Sequence, residues 1–113
     1  MAKIKDDLAE LTLPVYKQGT APATLPESFF TFWEDYSDDN LNGDNAVLEV
    51  IHEYTLVYYT KDFSTIYTGL QAAINTLKGK GYIIGGSGYD FGGAYNGWDA
   101  RAVDIKFIEY LED

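Results

Sequence analysis

The chain contains no cysteine. That excludes a disulfide framework, a thiolate metal site and a cysteine nucleophile. Histidine is nearly absent too: His52 stands alone, so a zinc site built on several imidazoles has no ligands to use. Long apolar runs are missing, with Leu56-Val57-Tyr58-Tyr59 among the longest at four residues. The segment Met1 to Asp7 carries neither a secretory signal nor a membrane-spanning pattern. Positive charge is the remaining scarcity. Eight Lys+Arg stand against 18 Asp+Glu, a formal charge of −10, and between Lys17 and Lys61 there is no Lys or Arg at all. A chain of this sign does not bind polyanions by neutralising phosphates.

What is present is one domain's worth of chain. A length of 113 residues with 46% hydrophobic content suits a single unit, 1–113, with a core and no covalent staples. The acidity is concentrated. Glu27, Glu34, Asp35, Asp38, Asp39, Asp44, Glu49 and Glu53 all fall in that interval without Lys or Arg. Residues 1–17 balance, and residues 61–113 carry seven acids against five bases. Such a block either keeps a hairpin soluble or forms a surface that repels DNA or recruits a basic partner.

Periodicity predicts an α+β fold. Ile4, Leu8 and Leu11 recur on one face of a short helix over 2–11, stopped by Pro14. Val15-Tyr16 starts a short strand, and the stretch from Gly19 to Pro26 reads as loop. Ser28 to Ser37 is an aromatic strand, Asp38 to Asn45 has turn chemistry, and Ala46 to Thr60 alternates as a second long strand, making a hairpin. Ile66, Leu70, Ile74 and Leu77 mark an amphipathic helix over about 64–78, with Ser64 as the expected N-cap and Gly79 and Gly81 as the stop. A short strand at 81–84, a glycine-rich loop at 85–93 and a last strand over Asp99 to Leu111 complete the order. The expectation is a mostly antiparallel or mixed sheet with one amphipathic helix packed on one face and a C-terminal strand.

Few motifs point to chemistry. Asp38 to Glu49 matches a calcium-loop pattern, with Asp38, Asn40, Asn42 and Glu49 as ligands and Gly43 at the turn. Its flanks are strand-like where helices are needed, and Asn45 stands where an apolar residue belongs, so the match is read as false. The glycine run lacks the Gly-Lys-Ser/Thr ending of a phosphate loop, and its Tyr and Phe suit a β-bulge or a mobile flap better. His52 lies among Leu48, Val50, Tyr54 and Leu56 on the apolar face, the setting of a hydrogen-bonded core residue. No spacing singles out a carboxylate pair or a nucleophile, so neither catalysis nor a cofactor nor a metal is expected.

The aromatics point elsewhere. Ten Tyr, six Phe and two Trp are more than so small a domain can bury. Phe29, Phe30, Phe32, Trp33, Tyr36, Tyr89, Tyr95 and Trp98 are therefore candidates for a protein interface, and Glu34, Asp35, Asp38, Asp39 and Asp44 for an acidic patch beside it.

Leu13-Pro14-Val15-Tyr16-Lys17-Gln18-Gly19-Thr20, Leu25 to Trp33, Gly79-Lys80-Gly81-Tyr82 and Gly88-Tyr89-Asp90 together resemble a family. It is that of the tail terminator, or tail completion and head–tail joining, proteins of long-tailed phages and prophages. The resemblance runs from about Leu13 to Tyr110. It implies a helix, a mixed or antiparallel sheet and a packed helix, and it implies no catalytic residues. It implies a ring, commonly a hexamer, that caps the tail tube, ends its polymerisation and presents the surface that joins the head. The implied partners are further copies of the chain, the tail tube protein, the head-completion or connector protein and the tape measure protein. DNA would pass through without sequence-specific binding, no membrane is involved, and the place is the virion neck after assembly in the host cytoplasm. The acidic patch would face the lumen and repel DNA, or face an end and steer docking. The alternatives are a head-completion or stopper protein of the same connector and, in a different class, an acidic DNA-mimic inhibitor.

Overall fold

A computed structural model describes residues 4–41, 48–92 and 95–111, with side chains given outside 36–48 and Leu111. The fold is α+β, and its element order is the one the periodicity predicts. Helix α1 spans Ile4–Asp7 and a 3-10 turn spans Ala9–Leu11. Strands β1 (Val15–Lys17), β2 (Ser28–Leu41) and β3 (Leu48–Thr60) follow. A 3-10 turn at Phe63–Thr65 leads into α2 (Ile66–Gly79), and β4 (Ile83–Phe91) and β5 (Asp99–Leu111) complete the chain. One five-stranded sheet has the order β1-β2-β3-β5-β4. Only β1 runs parallel to its neighbour; the rest of the ladder is antiparallel.

Several boundaries differ from expectation, each for a physical reason. The first helix is broken into two short turns that end at Thr12 in the left-handed region, φ 59°. Asp38 to Leu41 continue β2 opposite Ile51 to Leu48, because ladder pairing with β3 outweighs their turn propensity. The rest of the expected turn, Asn42 to Asn45, lies outside the described residues. Ser64 is not the cap at the start of the helical segment. Asp62 is, and its carboxylate accepts from both the backbone N–H and the hydroxyl of Ser64. The glycine-rich segment 85–91 is no loop. It forms most of β4, with a register shift between Gly85 and Tyr89. Gly88 has φ +103°, and a Cβ there would sit 3.0 Å from the Ala102 carbonyl oxygen and 2.9 Å from Leu70, so the strand passes its neighbours where only glycine fits.

Alternation along the strands divides the core in two. Phe30, Tyr54, Leu56, Tyr58, Val103 and Ile105 turn to one face and meet α2 through Ile66, Leu70, Ala73, Ile74 and Leu77. Ile4 and Leu8 join that layer. Helix α2 stops where expected. The Tyr82 N–H reaches the Leu77 carbonyl and the Gly81 N–H, at φ +92°, reaches that of Lys78. Phe29, Val57, Tyr59, Ala100 and Ala102 turn to the opposite face, which no described helix covers.

Sheet and helix are unequal in length. Thirteen strand residues span about 43 Å and fourteen helical residues about 21 Å, so α2 covers about half of one face. β1 ends opposite Phe32 and β4 begins opposite Lys106. Past those points β2, β3 and β5 run on alone as a three-stranded arm. The principal extents of 53 × 26 × 23 Å and the radius of gyration of 15.4 Å reflect that arm. A compact chain of this length has a radius of gyration of about 13 Å.

Candidate functional site

The aromatic residues of β2 do not form one surface. Strand period 2 sends Phe29 and Trp33 to the open face, and Phe30 and Phe32 to the helix-covered face. Phe29 and Phe30 are fully buried and offer nothing to a partner. Phe32 packs against the helix-side core. The side chain of Tyr36 is not among those described; its backbone pairs with Glu53. Trp33, Tyr95 and Trp98 are partly exposed and Tyr89 is 43% exposed.

On the open face the rings build a layer around Phe29. Tyr59 stacks on it at 5.1 Å, and Tyr95 and Trp98 meet it edge-on at 5.6 and 6.4 Å. Trp33 leans on Phe91 at 5.9 Å. The segment after β4 is pinned over this layer by the Trp98 indole N–H, which donates to the Pro26 carbonyl at 3.1 Å. The structure thus brings Phe29, Trp33, Tyr95 and Trp98 together in one cluster.

The five acidic-patch candidates are likewise separated. Strand alternation puts Asp35 on the open face with Trp33 and Glu34 on the helix side, and the bulge between Glu34 and Tyr36 shifts the register beyond them. Asp35 accepts from the Trp33 indole at 2.6 Å and from the Thr55 hydroxyl at 2.5 Å. Thr55 also lies 3.4 Å from Asp104, and the Tyr89 hydroxyl donates to Asp104 at 3.0 Å. Burial raises the Tyr89 pKa, and the hydrogen bond and charge of Asp104 add to it. A cavity of about 360 Å³ opens beside Asp35, Glu53, Thr55 and Asp104. Asp38 and Asp39 are strand residues opposite Ile51 and Val50, and Asp44 lies outside the described residues. Of the calcium-loop match, Asp38 and Asn40 sit in extended ladder, with Asn40 directly across from Glu49, and Asn42 is outside the described residues. Among the described residues no group of three or more metal-ligating side chains converges.

On the helix side Glu34 completes a cluster that sequence reasoning saw only in part. His52 is buried on the apolar face, as its alternation predicts. Its Nδ1 is 2.6 Å from Glu34 of β2 and its Nε2 is 3.1 Å from Glu109 of β5. Carboxylates only accept, so satisfying both requires an imidazolium with two N–H donors. Burial depresses the His52 pKa, but the two hydrogen bonds and the two charges outweigh it and the net direction is up from 6.5. Tyr54 stacks beside the ring at 6.0 Å. Its own pKa is pushed up to about 12 by burial first and then by Glu34. The cluster staples all three strands of the arm at its root. Glu109 lies 57 residues from His52 in the sequence, and only the register of β3 on β5 brings them together.

No protein-family model and no curated protein sequence matches the chain.

Proposed function

We propose that the chain is a phage virion protein that caps the tail tube, ends tail polymerisation and forms the head–tail joining surface as a homo-oligomeric, hexameric ring. The observation that carries this reading is the three-stranded arm. β2 beyond Phe32 and β5 beyond Lys106 have no strand on their outer sides among the described residues. Free strand edges of this length are a liability in a monomer, and a ring gives them a neighbour. The arm carries Ile51, Ile108 and Tyr110 on its open face, Tyr110 being 62% exposed. It also carries most of the acidic block, which discourages open-ended edge pairing and repels DNA passing through a lumen. The order of helix, strands, helix and strands is also the one that the resemblance implies.

In this reading the partners are sister copies, the tail tube protein and the head-side connector, with the tape measure protein as a further contact. No catalysis is assigned. Light scattering and negative-stain microscopy of the purified protein, alone and with tail tubes, test the proposal. A six-fold ring in solution or on the tube end supports it. A chain that stays monomeric in both conditions overturns it.

A further inference from the structure

The bulge in β2 and the His52 cluster sit at the same point of the arm. The ladder shifts register between Glu34 and Tyr36, so Glu34 pairs with Tyr54 before the bulge and Ser37 pairs with His52 beyond it. The His52 side chain reaches back across that shift. Its Nδ1 lies 2.6 Å from Glu34, while its Nε2 reaches forward to Glu109, whose own register partner is Val50. One imidazole thus ties the strand before the bulge to the ladder beyond it and to β5. A bulge leaves a residue out of the ladder and bends the strand, so the backbone pairing is weakest where the side-chain tie crosses.

Both contacts need a donor on the ring. An imidazolium supplies two N–H groups and a neutral ring one. The two carboxylates differ in what they can do without theirs. Glu34 is 42% exposed and can turn to water, whereas Glu109 is 19% exposed. An unpaired buried charge costs most, so the remaining proton belongs at Nε2, and the contact across the bulge is the one released. Beyond the bulge β2 has β3 on one side and no strand on the other among the described residues. Without the tie, Tyr36 to Leu41 are held by that one ladder.

Few other groups titrate against the ring. Glu34 of β2 and Glu109 of β5 are the charges that act on it, and Tyr54 of β3, stacked beside it, titrates only at about 12. Glu109 is held below the usual carboxylate range by the chain's amino group first and by His52 second. An amino terminus loses its proton at about pH 7.7–8, after which Glu109 depends on His52 the more.

We propose that His52 is a proton-operated latch on a hinge. Charged, it closes over the bulge and stiffens the arm; neutral, it lets go of Glu34 and frees the β2 limb from Tyr36 to Leu41. The latch is complete while the ring is charged and opens as pH rises through the folded value, which lies above 6.5. It rests on the geometry of the arm and not on the tail reading.

The test is NMR of the full chain across the His52 titration, from about pH 5.5 to about pH 9. Imidazole nitrogen shifts follow the ring and identify its neutral tautomer. Amide exchange, corrected for its intrinsic pH dependence, measures local protection. The expected results are the Nε2–H tautomer and a fall of about tenfold in protection at the ladder-bonded amides of Tyr36 to Leu41, with the midpoint of the ring. Amides of Leu70 to Leu77 in α2 should keep their protection. Glu34→Gln, which still accepts a bond but carries no charge, should move the midpoint to lower pH. Acetylating the amino group should leave the fall tracking the ring. Constant protection through the ring's titration, an Nδ1–H tautomer, a fall shared equally by α2, an unmoved midpoint in Glu34→Gln, or a fall abolished by acetylation would each overturn the proposal.

Discussion

Replacing His52 by leucine removes the staple at the root of the arm while keeping the site filled. Two contacts are lost. A hydrogen bond to a charged group contributes about 1.5–3 kcal/mol when shielded from water. The Glu109 carboxylate is 19% exposed, which places its contact at about 2 kcal/mol. Glu34 is closer, at 2.6 Å, but 42% exposed, and solvent screening reduces its share to about 1 kcal/mol. The expected loss is about 3 kcal/mol near pH 6. Its pH dependence is diagnostic. The His52 pKa is raised above 6.5 in the folded chain, so its stabilisation is complete below pH 6.5 and is lost as pH rises through the folded value. Above that value the neutral ring keeps one N–H, and one of its two contacts disappears. The deficit of His52→Leu should therefore be largest below pH 6.5 and shrink as pH rises through the folded value. Tyr54, with its pKa at about 12, stays protonated across this interval and does not blur the signal. Urea unfolding followed by tryptophan fluorescence at a series of pH values measures the difference directly. A deficit that is constant with pH would refute the imidazolium staple.

The remaining predictions concern packing, order and charge. Gly69→Ala would place a Cβ 2.3 Å from the Tyr58 ring, which is itself buried between the sheet and α2, and should cost about 1–3 kcal/mol by overpacking, read as a lower urea midpoint; an unchanged midpoint would show that Tyr58 yields freely. Hydrogen exchange of the isolated chain should show protection at ladder positions in Tyr89 to Phe91, since they pair with Ala102 to Ala100; exchange at loop rates would remove β4 from the native sheet. Asn substitutions at Asp38, Asp39 and Asp44 should leave the melting temperature within a few degrees and impair assembly or DNA passage, and mutant particles of normal titre would remove the acidic hairpin from the mechanism.

Local periodicity carried much of the fold. The spacing of Ile66, Leu70, Ile74 and Leu77 is the buried stripe of α2, and the alternation through His52, Tyr54, Leu56 and Tyr58 is the helix-facing row of β3. What stayed hidden depends on pairing between distant strands. Asp38 to Leu41 carry turn residues, yet β3 holds them in a ladder. Glycines 85, 86 and 88 look like a loop until β5 is placed beside them; a Cβ on Gly85 would come within 3.1 Å of the Asp104 carbonyl oxygen, so the close approach selects glycine in a strand. The aromatic run from Phe29 to Trp33 read as one surface although strand alternation splits it between two cores, and only Trp33, Tyr89, Tyr95 and Trp98 keep exposed area among its proposed interface residues with described side chains outside the helix-side core. A groove at Phe63 and Tyr67 is not legible in the sequence because it needs the helix start and the β4–β5 junction at once.

The central proposal is that this chain ends tail growth from a ring on the tube. Electron microscopy of particles assembled without it tests that most directly. Tails of abnormal length are the predicted result. Free tails of normal length beside heads that leak their DNA would contradict it and assign the chain to the head side of the joint.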